Sequence, residues 1–376
     1  MRQDGAITVS AGHFTTNAIV FLVMAGIWYG AARPAPAQTT KQPAATLKVG
    51  DKAPPLVVEK WLKGEPVSRF RPGHVYVVEF WSTWCGTCVK SMPDLSELQR
   101  IYKDKVTIIA VNVWERAYND KTLATVENFV AKQGDRMAYA VAYDGKARAT
   151  DTAYMKAAER TGIPTTFLIG CDGKIAWIGY PWSLDVPLAA CVAGKWDLVS
   201  GPQYLAQAEG LVRQFREKVR NTPQEALALW ETLEREYPGA TRKVAGLGFK
   251  TLLEVQEYSR AYKLASELVD RAIAAKDVRV LNALAWAIVD PEGKVETKDL
   301  DLALRAAIKA DEFSKHENAS VLDTLARVYF CKGEVDRAIE LQTRAVAKGQ
   351  EQDRSELRKT LEAYQAAKKQ GSPPGQ

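Results

Sequence analysis

The sequence predicts an α/β domain with a mixed central sheet flanked by helices, followed by an all-α domain. Between residues 47 and 198, strand-like and helix-like stretches alternate and end in a hairpin pattern. After residues 199–203, which we predict to be a linker, only helical patterns follow, through residue 370. The chain has 376 residues, too many for one compact core, which also favours two domains.

The strongest strand signals of the first domain are two nearly continuous apolar runs, VYVVEF at 75–80 and VTIIAVNV at 106–113. Such runs are typical of strands that are buried on both faces. Residues 56–61 and 66–70 flank a turn signal at Gly64 and predict a leading hairpin. The other predicted elements are helices over 86–103, 121–133, 151–160 and 187–193, a strand over 137–142, and hairpin strands around the turn CDGK.

The second domain, residues 204–370, contains an internal repeat. LNALAWAI at 281–288 and VLDTLARVYF at 321–330 predict the first helices of two helix pairs. Within the second helices, alanines recur at equivalent positions seven residues apart: Ala303, Ala310, Ala338 and Ala345. Small residues at this spacing let paired helices pack closely, and the pattern resembles tetratricopeptide repeats. An irregular helical bundle is the alternative.

Composition limits the functional classes. Hydrophobic residues make up 47% of the chain and charged residues 26%, as in ordinary globular proteins. The net charge is +6, and basic residues alternate with acidic ones throughout, so we expect no nucleic-acid partner. Five cysteines are too few for a fold stabilised mainly by disulfides.

The N-terminus predicts export. An uncharged apolar run at 18–29 precedes Ala35-Pro36-Ala37, which fits a signal-peptidase site. We therefore predict a signal peptide over 1–37, a polar tether over 38–46, and a periplasmic or other extracytoplasmic location, with an uncleaved N-terminal membrane anchor as the alternative. Residues 371–376 are predicted to be a disordered tail.

The stretch EFWSTWCGTCVKSMP places Cys85 and Cys88 two residues apart. A structural zinc site needs four ligands, but the other cysteines are isolated and the chain has only three histidines. Covalent haem attachment needs a histidine directly after the second cysteine, where this chain has Val89. We therefore predict no metal and no cofactor, and a redox role for the pair.

The position of the pair explains how it could react. Cys85 is expected at an exposed helix N-terminus, where free backbone N–H groups and the helix dipole favour the thiolate. Cys88, one turn later and more buried, could then attack a mixed disulfide formed at Cys85.

Two motifs resemble the thioredoxin superfamily: VVEFWSTWCGTC, and TGIPTTFLI at 161–169. The resemblance implies a thioredoxin-like fold in which Pro164 is cis and faces the cysteine pair. The backbone of Ile163 would pair with an extended substrate segment. Trp84, Gly86 and Thr87 would complete the surface that contacts substrate.

The leading hairpin and the helix and strand over 121–142 resemble the TlpA/ResA-like branch of exported thiol-disulfide oxidoreductases. This implies electron transfer with protein disulfide or dithiol substrates and a membrane or periplasmic thiol donor. Many members of the branch that serve cytochrome c maturation carry an acidic residue three positions after the second cysteine, where this chain has Ser91. The pathway and the direction of electron flow stay open.

Glu79 interrupts the apolar run VVEF, and the superfamily resemblance also places a buried acid there. Burial would raise the pKa of its carboxyl group and let it exchange a proton with Cys88. The alternative is a side chain that reaches the edge of the domain.

The sequence therefore predicts an exported thiol-disulfide oxidoreductase whose helical domain binds a partner, with a peptide as one candidate. One alternative is a peroxiredoxin-like antioxidant enzyme, although Thr83 lies two residues before Cys85 and the proline of that family's loop is missing. The other is a binding scaffold with an idle redox domain. Pairing of Cys171 with Cys191 stays open, and Cys331 is expected to be inert.

Overall fold

A computed structural model describes residues 46–293 and 295–370. The predicted signal peptide, residues 38–45 of the predicted tether and the predicted tail lie outside these ranges. Within them, no helix is both long enough and apolar enough to cross a membrane.

The first domain is built on one mixed sheet in the strand order β1–β4–β3–β2–β5–β6. Strands β2, β3 and β4 are parallel, whereas β1, β5 and β6 pair antiparallel to their neighbours. The order and the mixed directions confirm the predicted thioredoxin-like class. The strands are β1 (Lys60–Lys63), β2 (Val75–Trp81), β3 (Val106–Asn112), β4 (Ala140–Tyr143), β5 (Thr165–Ile169) and β6 (Ile175–Gly179).

The predicted leading hairpin is wrong. Strand β1 pairs with β4, with Lys60 opposite Tyr143, and residues 66–70 form no strand. Gly64 does adopt a positive φ of 74°, which favours glycine, but the turn leads away from the sheet. The sequence shows the turn, whereas the strand that pairs with β1 lies about eighty residues away.

Strand β2 separates two apolar layers because its side chains alternate between the faces of the sheet. Val75, Val77 and Trp81 pack on one face in a core cluster with residues of the first, second and fourth helices. Tyr76, Val78 and Phe80 pack on the other face, against residues that include Tyr154 and Phe167. The helices of this domain are α1 (Gly86–Ile101), α2 (Asp120–Gln133), the short α3 (Ala149–Asp151), which continues as a π-helical turn to Lys156, and α4 (Asp185–Val192).

The second domain is all-helical in the described residues, as predicted. Its helices are α5 (Gly201–Lys218), α6 (Pro223–Glu236), α7 (Pro238–Thr241), α8 (Ala245–Glu254), α9 (Tyr258–Ala275), α10 (Val278–Val289), α11 (Leu300–Phe313), α12 (Ala319–Cys331), α13 (Val335–Lys348) and α14 (Glu351–Gln370). Neighbouring helices pack in pairs, most extensively α12 with α13 and α10 with α11. The repeat alanines Ala303, Ala310, Ala338 and Ala345 are fully buried.

Ion pairs join the two domains. Arg242, which follows α7, contacts Asp185 of α4 and donates a 2.6 Å hydrogen bond to Oε2 of Glu97 on α1. Lys243 Nζ lies 3.1 Å from Asp185 Oδ2, and Arg271 of α9 pairs with Glu97. The side chains of Arg242, Asp185 and Glu97 are at most 14% exposed. The helical domain is thus attached to α1, the helix that begins at the cysteine pair.

Candidate active site

The cysteine pair lies where β2 passes into α1. Cys85 is the N-cap of α1, with extended backbone at φ −83° and ψ 96°, and its Sγ accepts a 3.2 Å hydrogen bond from the backbone N–H of Cys88. The two cysteines form a disulfide with their Cα atoms 5.3 Å apart. The N-terminal backbone amides of α1 therefore point at the sulfur of Cys85, which favours negative charge there when the disulfide is reduced.

The expectation that Cys85 is exposed is wrong for this disulfide form. Cys85 is 4% exposed and Cys88 1%. The Sγ atom of Cys85 lies 3.8 Å from the carbonyl oxygen of Ile163 and 3.4 Å from Oγ1 of Thr87. The bond to Cys88 holds the sulfur inward, and the loop before β5 covers it. Thr87 and Gly86 are exposed beside it.

The loop before β5 carries the predicted cis peptide, between Ile163 and Pro164. Strand β5 pairs with β2 so that Thr165 lies opposite Phe80, which brings the preceding Pro164 to the end of the sheet where Cys85 begins α1. The structure thereby unites two motifs about eighty residues apart in the chain. Ile163 is half-buried and Pro164 is buried.

Glu79 lies under the pair, on the face of β2 that also carries Val77 and Trp81 and that packs against Cys88. It is 2% exposed, which excludes the alternative of a side chain at the domain edge. Burial without a cation raises the pKa of its carboxyl group to about 8, although a hydrogen bond from the Thr166 hydroxyl lowers it in part. Its Oε1 atom has no hydrogen-bond partner among the described residues.

Glu115, in the loop after β3, fixes the segment that precedes Cys85. Its carboxylate accepts 2.8 Å hydrogen bonds from the backbone N–H and the hydroxyl of Thr83, and another from the side chain of Asn112. Sequence reasoning missed Glu115, because no local pattern links a loop acid to a segment about thirty residues earlier. The Thr83 hydroxyl is already bonded to Glu115, so it is not directed at a peroxide as the peroxiredoxin-like alternative would need.

Exposed aromatic side chains lie next to Cys85 in the chain and just beyond the end of β6. Trp84 is 48% exposed and its ring N–H donates a 2.9 Å hydrogen bond to the carbonyl oxygen of Trp114. Beyond β6, Tyr180 and Trp182 are about half exposed and stack with their ring centroids 4.6 Å apart. Flat apolar surface beside a reactive sulfur suits contact with a polypeptide.

The remaining cysteines stand apart from this site. Cys171 is exposed and Cys191 is buried, and both are unpaired in this structure. Burial raises the pKa of the Cys191 thiol to about 12, which makes it a poor nucleophile. Cys331 packs at the edge of the helical core. In the part of the chain that the structure describes, no three side chains that bind metals come together.

Comparison with known proteins identifies the family. The family model described as Redoxin matches residues 48–186. Protein FixW from Rhizobium leguminosarum is 33% identical over 172 residues, which cover 45% of this chain and 77% of that protein. Thiol-disulfide oxidoreductase ResA from Bacillus cereus is 36% identical over 131 residues, 34% of this chain and 68% of ResA. The chain belongs to the ResA-like thiol-disulfide oxidoreductases of the thioredoxin superfamily.

This thiol-disulfide oxidoreductase also aligns with the crystal structure of StoA from Bacillus subtilis. The match covers 34% of this chain and 90% of that one, at 23% identity and a TM-score of 0.27. The sheet order described above shows the fold by itself. The matched residues of the family model end before α5, so the match does not extend into the helical domain.

Proposed function

We propose that the Cys85–Cys88 pair exchanges disulfides with protein substrates outside the cytoplasm, and that the helical domain positions the redox domain and binds a partner. The single observation that carries the proposal is the disulfide at the N-terminus of α1, with Glu79 below it and the Ile163–Pro164 loop above. The export signal predicted over 1–37 supports the location, where thiol chemistry must be catalysed because disulfides persist.

The reaction starts from the reduced pair. The Cys85 thiolate attacks one sulfur of a substrate disulfide, so that a mixed disulfide forms and one substrate thiolate leaves. The Cys88 thiol then gives its proton to Glu79 and attacks Cys85 Sγ. The mixed disulfide breaks, and the second substrate thiolate leaves and takes up a proton. The substrate gains two electrons, and the pair becomes a disulfide that a membrane or periplasmic thiol donor reduces again.

The surface around the pair supports polypeptide substrates. The carbonyl oxygen of Ile163 lies beside Cys85, where an extended substrate backbone can donate a hydrogen bond to it. Trp84, Gly86 and Thr87 are exposed next to Cys85 in the chain and can contact the substrate residues that flank its cysteine.

The helical domain is proposed to be a tetratricopeptide-like array. Paired packing of α10 with α11 and of α12 with α13, with buried alanines at equivalent positions, supports this assignment. Its ion pairs with α1 and α4 support a role in positioning the redox helix.

Reduction of insulin by dithiothreitol tests the proposal. The full chain should accelerate insulin precipitation, Cys85→Ser should abolish the acceleration, and Cys88→Ser should accumulate a mixed disulfide with insulin. Cys171→Ser is the matched control, because it removes an exposed thiol outside the pair and should keep full activity. Equal rates with and without the protein would leave the idle scaffold as the better description.

A further inference from the structure

The end of β6 extends the substrate surface towards the helical domain. Thr166 of β5 lies opposite Gly179 of β6. Tyr180 follows Gly179 in extended backbone, before the 3-10 turn Pro181–Ser183, and so lies at the end of β5 that leads back to Pro164. The stacked Tyr180–Trp182 pair therefore lies next to the loop that covers Cys85. Residues 181–183 also pack against α1.

Trp182 forms one wall of a groove between the two domains, with a cavity volume of about 260 Å³. Its lining includes the partly exposed apolar side chains of Leu205 and Val212 on α5 and the buried residues Ala208, Gly239 and Ala240. We call this cavity the α5 groove. The groove connects the aromatic surface beside the redox centre with a surface of the helical domain.

The rim of the α5 groove carries excess positive charge. Arg213 and Arg216 of α5 line it and are exposed, and in the described part of the chain neither forms an ion pair within 4 Å. Glu209 is the one rim carboxylate without a cation partner there. Asp185 also lines the groove, but Arg242 and Lys243 neutralise it. The rim therefore carries two guanidinium groups without an ion-pair partner and one such carboxylate.

We infer that the α5 groove binds the extended segment of a protein substrate next to its reacting cysteine, and that Arg213 and Arg216 favour acidic side chains in that segment. The inference rests on the proposed function and adds a substrate class to it. Strand β5 starts just after the Ile163–Pro164 loop and pairs with the end of β6, where Gly179 precedes Tyr180. A segment held at that loop can therefore continue past Tyr180 and Trp182 into the groove, which Trp182 lines. Guanidinium groups there can form bidentate bonds with carboxylates.

Synthetic peptides test the inference. Each carries one cysteine as a mixed disulfide with thionitrobenzoate, flanked on both sides by aspartates, by serines or by lysines. The Cys85 thiolate of a full-length Cys88→Ser variant attacks the peptide sulfur, forms the peptide–enzyme disulfide and releases coloured thionitrobenzoate. The rate of Cys85→Ser/Cys88→Ser is subtracted as the background from other cysteines.

At low ionic strength the aspartate peptide should react about tenfold faster than the serine peptide, and added salt should reduce the ratio. The charge reversal Arg213→Glu/Arg216→Glu should remove this preference and speed the lysine peptide relative to the serine peptide. Arg220→Glu/Arg279→Glu makes the same charge change at exposed arginines outside the groove and should keep the preference.

The outcomes separate the two proposals. No reaction of Cys85 with any peptide would overturn the proposed thiol exchange itself. Equal rates for all three peptides, or equal loss of preference in the groove and control variants, would overturn only the role of the groove. If the charge reversal also slows the serine peptide, the neutral variant Arg213→Gln/Arg216→Gln tests the role of the groove instead. Its rate with the aspartate peptide should be close to its rate with the serine peptide.

Discussion

Buried carboxylates occur near both ends of the redox helix α1, and their surroundings differ. Below the N-terminal end of α1, Glu79 is buried with a single hydroxyl donor and no cation. Towards the C-terminal half of α1, Glu97 and the neighbouring Asp185 are held by Arg242, with Arg271 and Lys243 adding to the charge. The first carboxyl can take up a proton near neutral pH, whereas the second set pairs with cations.

The difference shows what each environment is suited to. A buried acid without a cation prefers the neutral form, so it can exchange a proton with a nearby thiol. A buried acid next to a guanidinium forms an ion pair that fixes the relative position of two elements. Removing one partner destabilises the fold, because the other charge is left buried and unpaired. Helix α1 therefore connects the site of thiol chemistry with the ion pairs that attach the helical domain.

The largest expected effect is on stability, through the ion pairs that attach the helical domain to the redox domain. Arg242→Ala leaves Asp185 and Glu97 buried without their main cation and should lower the free energy of unfolding by about 3 kcal/mol. Urea denaturation followed by circular dichroism measures it. Arg260→Ala is the matched control, because Arg260 also contacts two carboxylates, Glu231 and Glu234, but on the surface. That loss should stay below about 1 kcal/mol, and similar losses in both variants would contradict the comparison.

The second effect is on chemistry. Glu79→Gln keeps the shape of the side chain but cannot accept a proton, so resolution by Cys88 should slow roughly a hundredfold. Stopped-flow kinetics of mixed-disulfide decay between pH 6 and 9 measure the step, and the variant should lack the wild-type rise in rate around pH 8. Unchanged resolution in the variant would show that another group takes the proton.

The same substitution also changes the pH dependence of stability. The folded pKa of Glu79, about 8, lies above its ordinary value of 4.5, so the folded protein holds a proton that the unfolded chain releases. Stability from this group is complete below pH 4.5 and falls as pH rises to about 8, by about 1 kcal/mol per pH unit. Glu79→Gln should lose this fall.

A smaller change sharpens the description of Glu79. Thr166→Val removes the hydroxyl that donates to the carboxylate, so the pKa of Glu79 should rise further. The midpoint of the pH–rate profile for resolution should move upward with it. Thr165→Val, one residue earlier, is the control: its hydroxyl donates to the carbonyl oxygen of Gly162 and should not move the midpoint.

The smallest expected effect is at the edge of the ion pairs that attach the helical domain. Asp94 lies 3.9 Å from Arg242, but its side chain is 55% exposed. Asp94→Asn should change the unfolding free energy by less than about 0.5 kcal/mol, because water screens the pair. A loss of unfolding free energy as large as that of Arg242→Ala would mean that buried and exposed ion pairs do not differ in their contribution to stability.

Much of the redox domain could be predicted because its signals are local. The apolar runs of β2 and β3 and the turn residues of the last hairpin each lie within a few positions of the chain. The predicted strand over 56–61 overlaps β1, but its pairing with residues 66–70 was wrong because its partner β4 is remote in the chain. Pairing across such a distance depends on the whole sheet, so no local pattern reports it.

The candidate site was predictable to a similar extent. Cys85, Cys88 and Pro164 occur in motifs, and Glu79 is visible as a charge in an apolar strand. The burial of Cys85 and the bonds from Glu115 and Arg242 to distant segments arise from tertiary contacts. A single charged residue in a loop or helix resembles any solvated one, so its role appears only with its neighbours in space.

The pairing of Arg242 with both Asp185 and Glu97 has a consequence for how the protein unfolds. A fragment that ends at residue 198 would contain both acids and lack Arg242, Lys243 and Arg271, so two carboxylates would lose their counter-charges at once. We therefore expect the two domains to unfold as one cooperative unit, so that amide hydrogens of α1 and α4 exchange through the same opening as those of α7 and α9.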